Sequence, residues 1–176
     1  MKKLLKVLLI KAPVWFLILS AAATFAYKWV PVKYTPLMAQ RAIENRDDIS
    51  YSRSQKWLPI DKLSFSAKQV MLTRDAAEDF NLILDKAVQY AFMLDTKDNV
   101  LHKFIGKWFS FLVQNLWSLE RTMEVYLNVT EMGRGIYGIE AASEYYYGKG
   151  ADRLTKSETA RLITHSNRLL AEKRQK

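Results

Sequence analysis

The stretch WSLERTMEVYLNVTEMGRGIYGIEAASEYYYGKG, residues 117–150, decides how this chain folds. From Trp117 to Val129 the residues Met123, Tyr126 and Leu127 recur at helical spacing, which predicts a helix with those side chains inward. Gly133, Gly135 and Gly138 punctuate the next segment, where the backbone has to turn tightly. Ile139 to Tyr147 resumes a helix, and Gly148 stops it. Beyond it, Thr155-Lys156-Ser157-Glu158 reads as a capping box ahead of Ala160, Leu162 and Ile163, so a last helix starts there.

Working back from Trp117, Lys103 to Leu116 is strongly apolar. Phe104, Trp108, Phe111, Leu112 and Leu116 lie on or near one helical face, which predicts a buried helix. From Ser66 to Leu94 the apolar spacing of Val70, Leu72, Leu82, Ile83, Val88 and Phe92 is helical rather than alternating. Trp57-Leu58-Pro59-Ile60 opens the domain, after an exposed polar loop from Glu44 to Lys56. Pro31 to Pro36 cannot continue a helix and makes a stiff connector. The expected class is all-α: residues 1–30 a cytoplasmic tip and membrane anchor, 31–56 a linker, and 57–176 a truncated helical domain.

The chain has 176 residues, enough for one domain and an anchor. Only 6 glycines are present and no GxGxxG or GxxxxGK pattern occurs, which argues against a phosphate-binding loop. The absence of cysteine excludes disulfides, thiolate zinc sites and cysteine nucleophiles. His102 and His165 are too far apart in sequence to argue for a metal pair.

Residues 12–26 carry no charge. With Lys11 and Lys28 snorkelling, the run from Lys11 to Tyr27 approaches the roughly 20 residues that cross a bilayer. Trp15, Tyr27 and Trp29 stand near its ends, as interfacial aromatics do. Lys2, Lys3, Lys6 and Lys11 precede it and place the N-terminus in the cytoplasm, with the domain on the outer side. A cleaved signal peptide is the competing reading, because Ala21, Ala22 and Ala23 supply small residues near its end. The Lys11–Pro13 break and Trp29-Val30-Pro31 fit a retained anchor better. The net charge of +9 is then read as facing anionic lipid and phosphate rather than nucleic acid, for which no motif exists.

Glu124-Val125-Tyr126-Leu127-Asn128, Glu131 through Ala142, and Tyr146-Tyr147-Gly148-Lys149 together resemble the monofunctional biosynthetic peptidoglycan glycosyltransferases. They are similar also to the glycosyltransferase half of bifunctional penicillin-binding proteins. The likeness runs on through Leu154-Thr155 and Glu158 to Leu162, and Tyr34-Thr35-Pro36-Leu37-Met38 and Trp57-Leu58-Pro59-Ile60 resemble the family's lead-in. The resemblance implies a lysozyme-like helical fold with a membrane-facing lobe in the cytoplasmic (inner) membrane. It also implies a reaction, polymerisation of lipid II, a disaccharide-pentapeptide on undecaprenyl pyrophosphate, into glycan strands. A glutamate in a Glu-Asp-x-x-Phe-x-x-His-x-Gly motif acts as the family's general base. A Gly-Gly-Ser-Thr-Ile-Thr-Gln-Gln segment builds its cleft, and Arg-Lys-x-x-Glu supplies cations and a second carboxylate.

This sequence departs from the family at those three motifs. Counted from Trp57, the base position falls on Asp75, followed by Ala76, and no His-x-Gly follows Phe80. The interval from Asp75 to Lys103 is too short to hold the Gly-Gly-Ser-Thr segment. Arg-Lys-x-x-Glu becomes His102-Lys103-Phe104-Ile105-Gly106, and the family's lysine before the Tyr-Leu-Asn helix becomes Leu119. The resemblance leaves Asp75 as candidate base and Lys103 and Asn128 as candidate substrate-binding residues. Positions such as Glu124, Tyr126 and Asn128 are more often structural supports than reacting groups, and Glu140 and Lys149 read the same way. An Asp for Glu exchange alone can cost about 10²-fold by misplacing the base, and general base catalysis contributes about 10²–10⁴-fold. Catalysis is therefore expected to be impaired or lost. The family usually uses a divalent metal near the pyrophosphate; with its glutamates replaced, no cofactor is expected here, a divalent metal entering only if the chain is active. The expected partners are lipid II or another lipid-linked glycan precursor, membrane lipid and other cell-envelope synthesis proteins. The alternative is a non-catalytic scaffold or regulatory protein, a pseudoenzyme at the membrane.

Overall fold

A computed structural model describes residues 2–72, 78–94 and 99–174, with side chains over 11–65, 67–70, 81, 83–94 and 99–166. It is mostly helical: α1 (Lys2–Ala26), α2 (Pro36–Glu44), α3 (Phe65–Leu72), α4 (Glu78–Phe92), α5 (Val100–Leu116), α6 (Leu119–Val129), α7 (Ile139–Tyr147) and α8 (Lys156–Arg174). Short strands β1 (Ser54–Gln55), β2 (Glu131–Gly133) and β3 (Ile136–Tyr137) complete it.

Helix α6 is the hub. Its Met123, Tyr126 and Leu127 join Met132, Ile139, Leu162 and Ile163 in one apolar cluster. Val125 and Val129, on its other side, join Leu37, Met38, Leu84, Val88, Val113 and Trp117 in a second. A helix buried on both sides needs apolar residues around most of its circumference, and this sequence supplies them. Ser118 caps its start by accepting from the Arg121 amide at 3.2 Å.

The all-helical expectation needs one correction. A three-stranded sheet in the order β1-β3-β2 sits against α7 and α8, with β1 parallel and β2 antiparallel to β3. Strands of two or three residues are too short to leave an alternating pattern, so periodicity does not reveal them. What the sequence does carry is the glycine spacing. Gly135 lies at φ +75°, where a Cβ would come within 2.6 Å of the Ser52 carbonyl. Gly138 lies at φ +86°, with the Asn128 carbonyl 2.8 Å from a Cβ. Gly135 lets the β2–β3 turn press against Ser52, and Gly138 lets the chain entering α7 lie against Asn128.

Two other readings change. Helix α2 lies within the segment read as linker; Thr35 caps it, and Leu37 and Met38 are buried against the domain. In α5 the inward face is Phe109, Leu112 and Val113, whereas Phe104 and Phe111 are 62% and 57% exposed. Leu112 is in the core and Trp108 and Leu116 pack against it, so of the five residues read as inward only Phe104 and Phe111 turn out to solvent.

Helix α7 ends at Gly148, which adopts the left-handed conformation as its sequence position suggests. The capping box is present too. The Thr155 amide and hydroxyl donate to Glu158 Oε2 at 2.8 Å each, and the Glu158 amide donates to Thr155 Oγ1 at 3.3 Å. Lys149 Nζ grips both carboxylate oxygens at 2.8 and 2.9 Å. Lys149 first, then Thr155, holds the Glu158 carboxyl down at about 2, against an ordinary 4.5. Because the folded value is depressed, the stabilisation is present above the ordinary value and is lost as pH falls through the folded one. The stability gap between the native chain and Glu158→Gln, read from melting curves across pH, is therefore expected to be full at neutrality. It should close between about pH 4.5 and 2.

Helix α1 runs unbroken through Pro13. Among the described residues no helix is long and apolar enough to cross a membrane, the side chains of α1 being described from Lys11 onward. Trp15, Ile18 and Leu19 point outward and are exposed, while Ser20 and Thr24 are buried against the domain. Trp108 Nε1 donates to Ser20 Oγ at 2.9 Å, and Trp117 Nε1 to the Thr24 carbonyl at 2.8 Å. The C-terminal half of α1 is thus bonded to α5 and to the residue that follows it.

Candidate functional site

The candidate residues sit on three different supports. Asp75 falls in the connection between α3 and α4, outside the described residues. Lys103 lies in the first turns of α5, whose start is capped by Asn99 Oδ1 accepting from the His102 amide at 2.7 Å. Its side chain is exposed, between exposed Leu101 and Phe104. Leu119, where the family has a lysine, is exposed at the start of α6. Lys103 keeps an exposed cation at the start of α5, and position 119, beyond the other end of that helix, carries none.

Asn128 is placed differently, buried on α6 with its whole amide engaged. Its Nδ2 donates to the Leu58 carbonyl and to the Glu124 carbonyl, both at 2.8 Å, and its Oδ1 accepts from the Leu58 amide at 2.7 Å. One turn earlier, Glu124 Oε2 accepts from the Ile60 amide at 3.2 Å. The extended 57–60 segment thus hydrogen-bonds to α6 side chains much as a strand does to a neighbour. Glu124 also holds Arg121, whose Nη1 lies 2.6 Å from Glu124 Oε1. In the same way Glu140 Oε2 accepts from the Ala151 amide at 2.8 Å, tying α7 to the turn before α8. Glu124, Asn128, Glu140 and Lys149 all face backbone or a charged partner of the same chain, Arg121 for Glu124 and Glu158 for Lys149.

The comparisons with known proteins fit this distribution. A profile described as Transglycosylase matches residues 86–169. The biosynthetic peptidoglycan transglycosylase of Caulobacter vibrioides is 33% identical, over 84% of this chain and 74% of that one. The chain belongs to the peptidoglycan transglycosylase family. Proteins of the same name from Mannheimia succiniciproducens and Chromohalobacter salexigens are 31% and 30% identical, covering 84% and 88% of this chain and 72% and 77% of theirs. The first of these alignments runs to 176 positions while taking in only 84% of a 176-residue chain, so that transglycosylase has residues with no counterpart here.

Among the described residues no group of three or more His, Cys, Asp or Glu side chains is placed to hold a metal ion. Two carboxylates on α4 and α6 are engaged within the fold: Asp85 accepts from Ser110 Oγ at 3.1 Å, and Glu124 is bonded to Arg121 and Ile60. Sequence reasoning missed Arg121, which the family motifs do not single out. Its guanidinium reaches the carbonyls of Tyr27 and Val30 at 2.7 and 2.6 Å. The aromatic residues flanking it, Trp57 and Trp117, were the available signal.

Proposed function

We propose that this transglycosylase-family protein binds lipid II at the outer surface of the cytoplasmic membrane and polymerises it poorly or not at all. The observation that carries this reading is a division among the family-type residues. Those kept, Glu124, Asn128, Glu140 and Lys149, bond to the protein's own backbone or to its own carboxylate. The positions that would meet substrate have changed: aspartate stands at the base position, histidine and glycine replace the arginine and second glutamate, and Leu119 replaces a lysine. An alignment longer than the part of the chain it covers is consistent with a missing cleft segment. Charge stabilisation and base catalysis each contribute about two or more decades to such a transfer, so losing parts of both leaves little rate.

Residues 1–30 act as a single-pass anchor in this proposal. The outward Trp15, Ile18 and Leu19 of α1 support it, as do the four lysines that precede the apolar run. Lys103 supplies a cation for the pyrophosphate, Asp75 is what remains of the base, and Asn128 acts by holding the lead-in. Without turnover, the same binding would serve a scaffold that presents the precursor to other envelope-synthesis proteins.

The test is a polymerisation assay on the full chain in lipid II-containing proteoliposomes, with lipid II binding read in parallel. Binding is expected, weakened by Lys103→Ala, with glycan formed at least about 10²-fold more slowly than by an active relative. Rapid glycan synthesis abolished by Asp75→Ala would overturn the impairment, and no binding at all would overturn the reading as a whole.

A further inference from the structure

We infer that the groove between α7 and α8 is a binding site for the sugar strand of peptidoglycan, separate from the lipid II cleft. This rests on the peptidoglycan reading and extends it to a second site. The groove holds about 550 Å³ and is lined by Tyr146, Tyr147, Ala160, Arg161, Leu162 and His165 among others. That volume is within the roughly 300–1,000 Å³ of small-ligand sites. None of its lining residues belongs to α3, α4 or α5, the elements around Asp75 and Lys103.

Its chemistry suits an acylated amino sugar bearing a carboxylate. A pyranose has one face of C–H bonds that lies well on an aromatic ring, and Tyr146 offers a ring already held in place. Its hydroxyl donates to the Met132 carbonyl at 3.3 Å, and its ring meets His165 edge-on at 5.8 Å and Tyr145 at 4.9 Å. A ring so fixed has little conformational entropy left to lose on binding. Tyr145 itself is 70% exposed, an aromatic surface with no burial to justify it. Arg161 lines the same groove, is exposed, and has no carboxylate partner among the described residues. A guanidinium matches a carboxylate bidentately, and stem-peptide carboxylates recur along a peptidoglycan strand. A single lining cation with tyrosines fits such a ligand better than nucleic acid, which needs a cationic track along its backbone.

The full chain in detergent micelles is titrated with a soluble, lipid-free disaccharide-peptide fragment of peptidoglycan, following heat and the tyrosine ring resonances. Saturable binding is expected, with Tyr146 and His165 signals moving. Arg161→Glu should weaken it about tenfold or more. Tyr146→Phe, which keeps the ring, should retain it, and Tyr146→Leu should lose it in a protein whose melting curve shows it folded. Equal binding by Arg161→Glu overturns the proposal, as does a free stem peptide that binds as well as the disaccharide-peptide. Ring shifts produced by anionic vesicles instead of the fragment would reassign the groove to lipid and overturn it as well. If lipid II binds and the fragment does not, only the groove assignment fails; if neither binds, the peptidoglycan reading fails with it.

Discussion

Asn128→Ala is expected to destabilise the folded chain by about 3 kcal/mol, because three partly buried backbone groups lose their partners at once. The Leu58 amide, the Leu58 carbonyl and the Glu124 carbonyl are all bonded to this one amide, and Asn128 is 1% exposed. Each orphaned buried group costs about 1–3 kcal/mol, and α6 already satisfies the Glu124 carbonyl in part, which holds the total near the lower end. For a chain of this size that lowers the melting temperature by about 6–12 °C. Asn128→Asp is the sharper experiment. It keeps shape and the acceptor to the Leu58 amide, but it turns the donor toward two carbonyls into a second acceptor. A substrate-contact role predicts that aspartate is tolerated for folding and costs only binding. The support role predicts that Asp is worse than Ala at neutral pH and recovers partly on acidification, since protonation restores a donor. Melting curves of the two variants at pH 7 and pH 5 separate the two accounts.

That outcome bears on what a sequence can reveal in a chain like this one. Helices α6, α7 and α8 were legible because their signals are local: apolar spacing, a glycine stop and a capping box, each confined to a few consecutive residues. The small sheet was not, since β1 and β3 are joined across more than eighty residues and each strand is two residues long. Register of that kind comes from tertiary contacts, with only Gly135 and Gly138 marking it in the text. Helix α5 misled for a related reason. Its apolar arc is wider than the core covers, so Phe104 and Phe111 stay outside while Leu112, Trp108 and Leu116 pack inward against what α4 and α1 offer.

The site divides along the same line. Family text located Asn128 but could not say which way its amide is spent; that depends on Leu58, seventy residues earlier. It marked Lys103 as a cation and the structure leaves that side chain exposed on α5. Asp75 lies outside the described residues, so its role rests on chemistry that only the polymerisation assay reaches. The α7–α8 groove had no sequence signature, because Tyr146 and Arg161 become neighbours only through the turn that Glu140 and Lys149 hold.

Arg121→Ala should have the second large effect, and its consequences should appear at the other end of the chain. The guanidinium donates from Nε and Nη2 to the Tyr27 carbonyl at 3.0 and 2.7 Å, from Nη2 to Val30 at 2.6 Å, and from Nη1 to Glu124 at 2.6 Å. It lies 5.2 and 5.9 Å from the Trp57 and Trp117 ring centres. Burial pushes its pKa below the ordinary arginine value while Glu124 works against that, so the charge is held by its partners. The Tyr27 and Val30 carbonyls follow α1, where a helix leaves its last carbonyls without partners and a cation is favoured. Removing the side chain strands those carbonyls and leaves Glu124 beside a vacated space, at a cost of about 3 kcal/mol. Lysine should recover little, since one ammonium cannot bridge two carbonyls and a carboxylate while lying against two indoles. Hydrogen exchange locates the effect: amides of residues 23–30 should lose protection while those of α7 keep theirs. If instead protection falls evenly across the chain, Arg121 is an ordinary core support; a local loss identifies it as the latch that fixes α1 to the domain it carries.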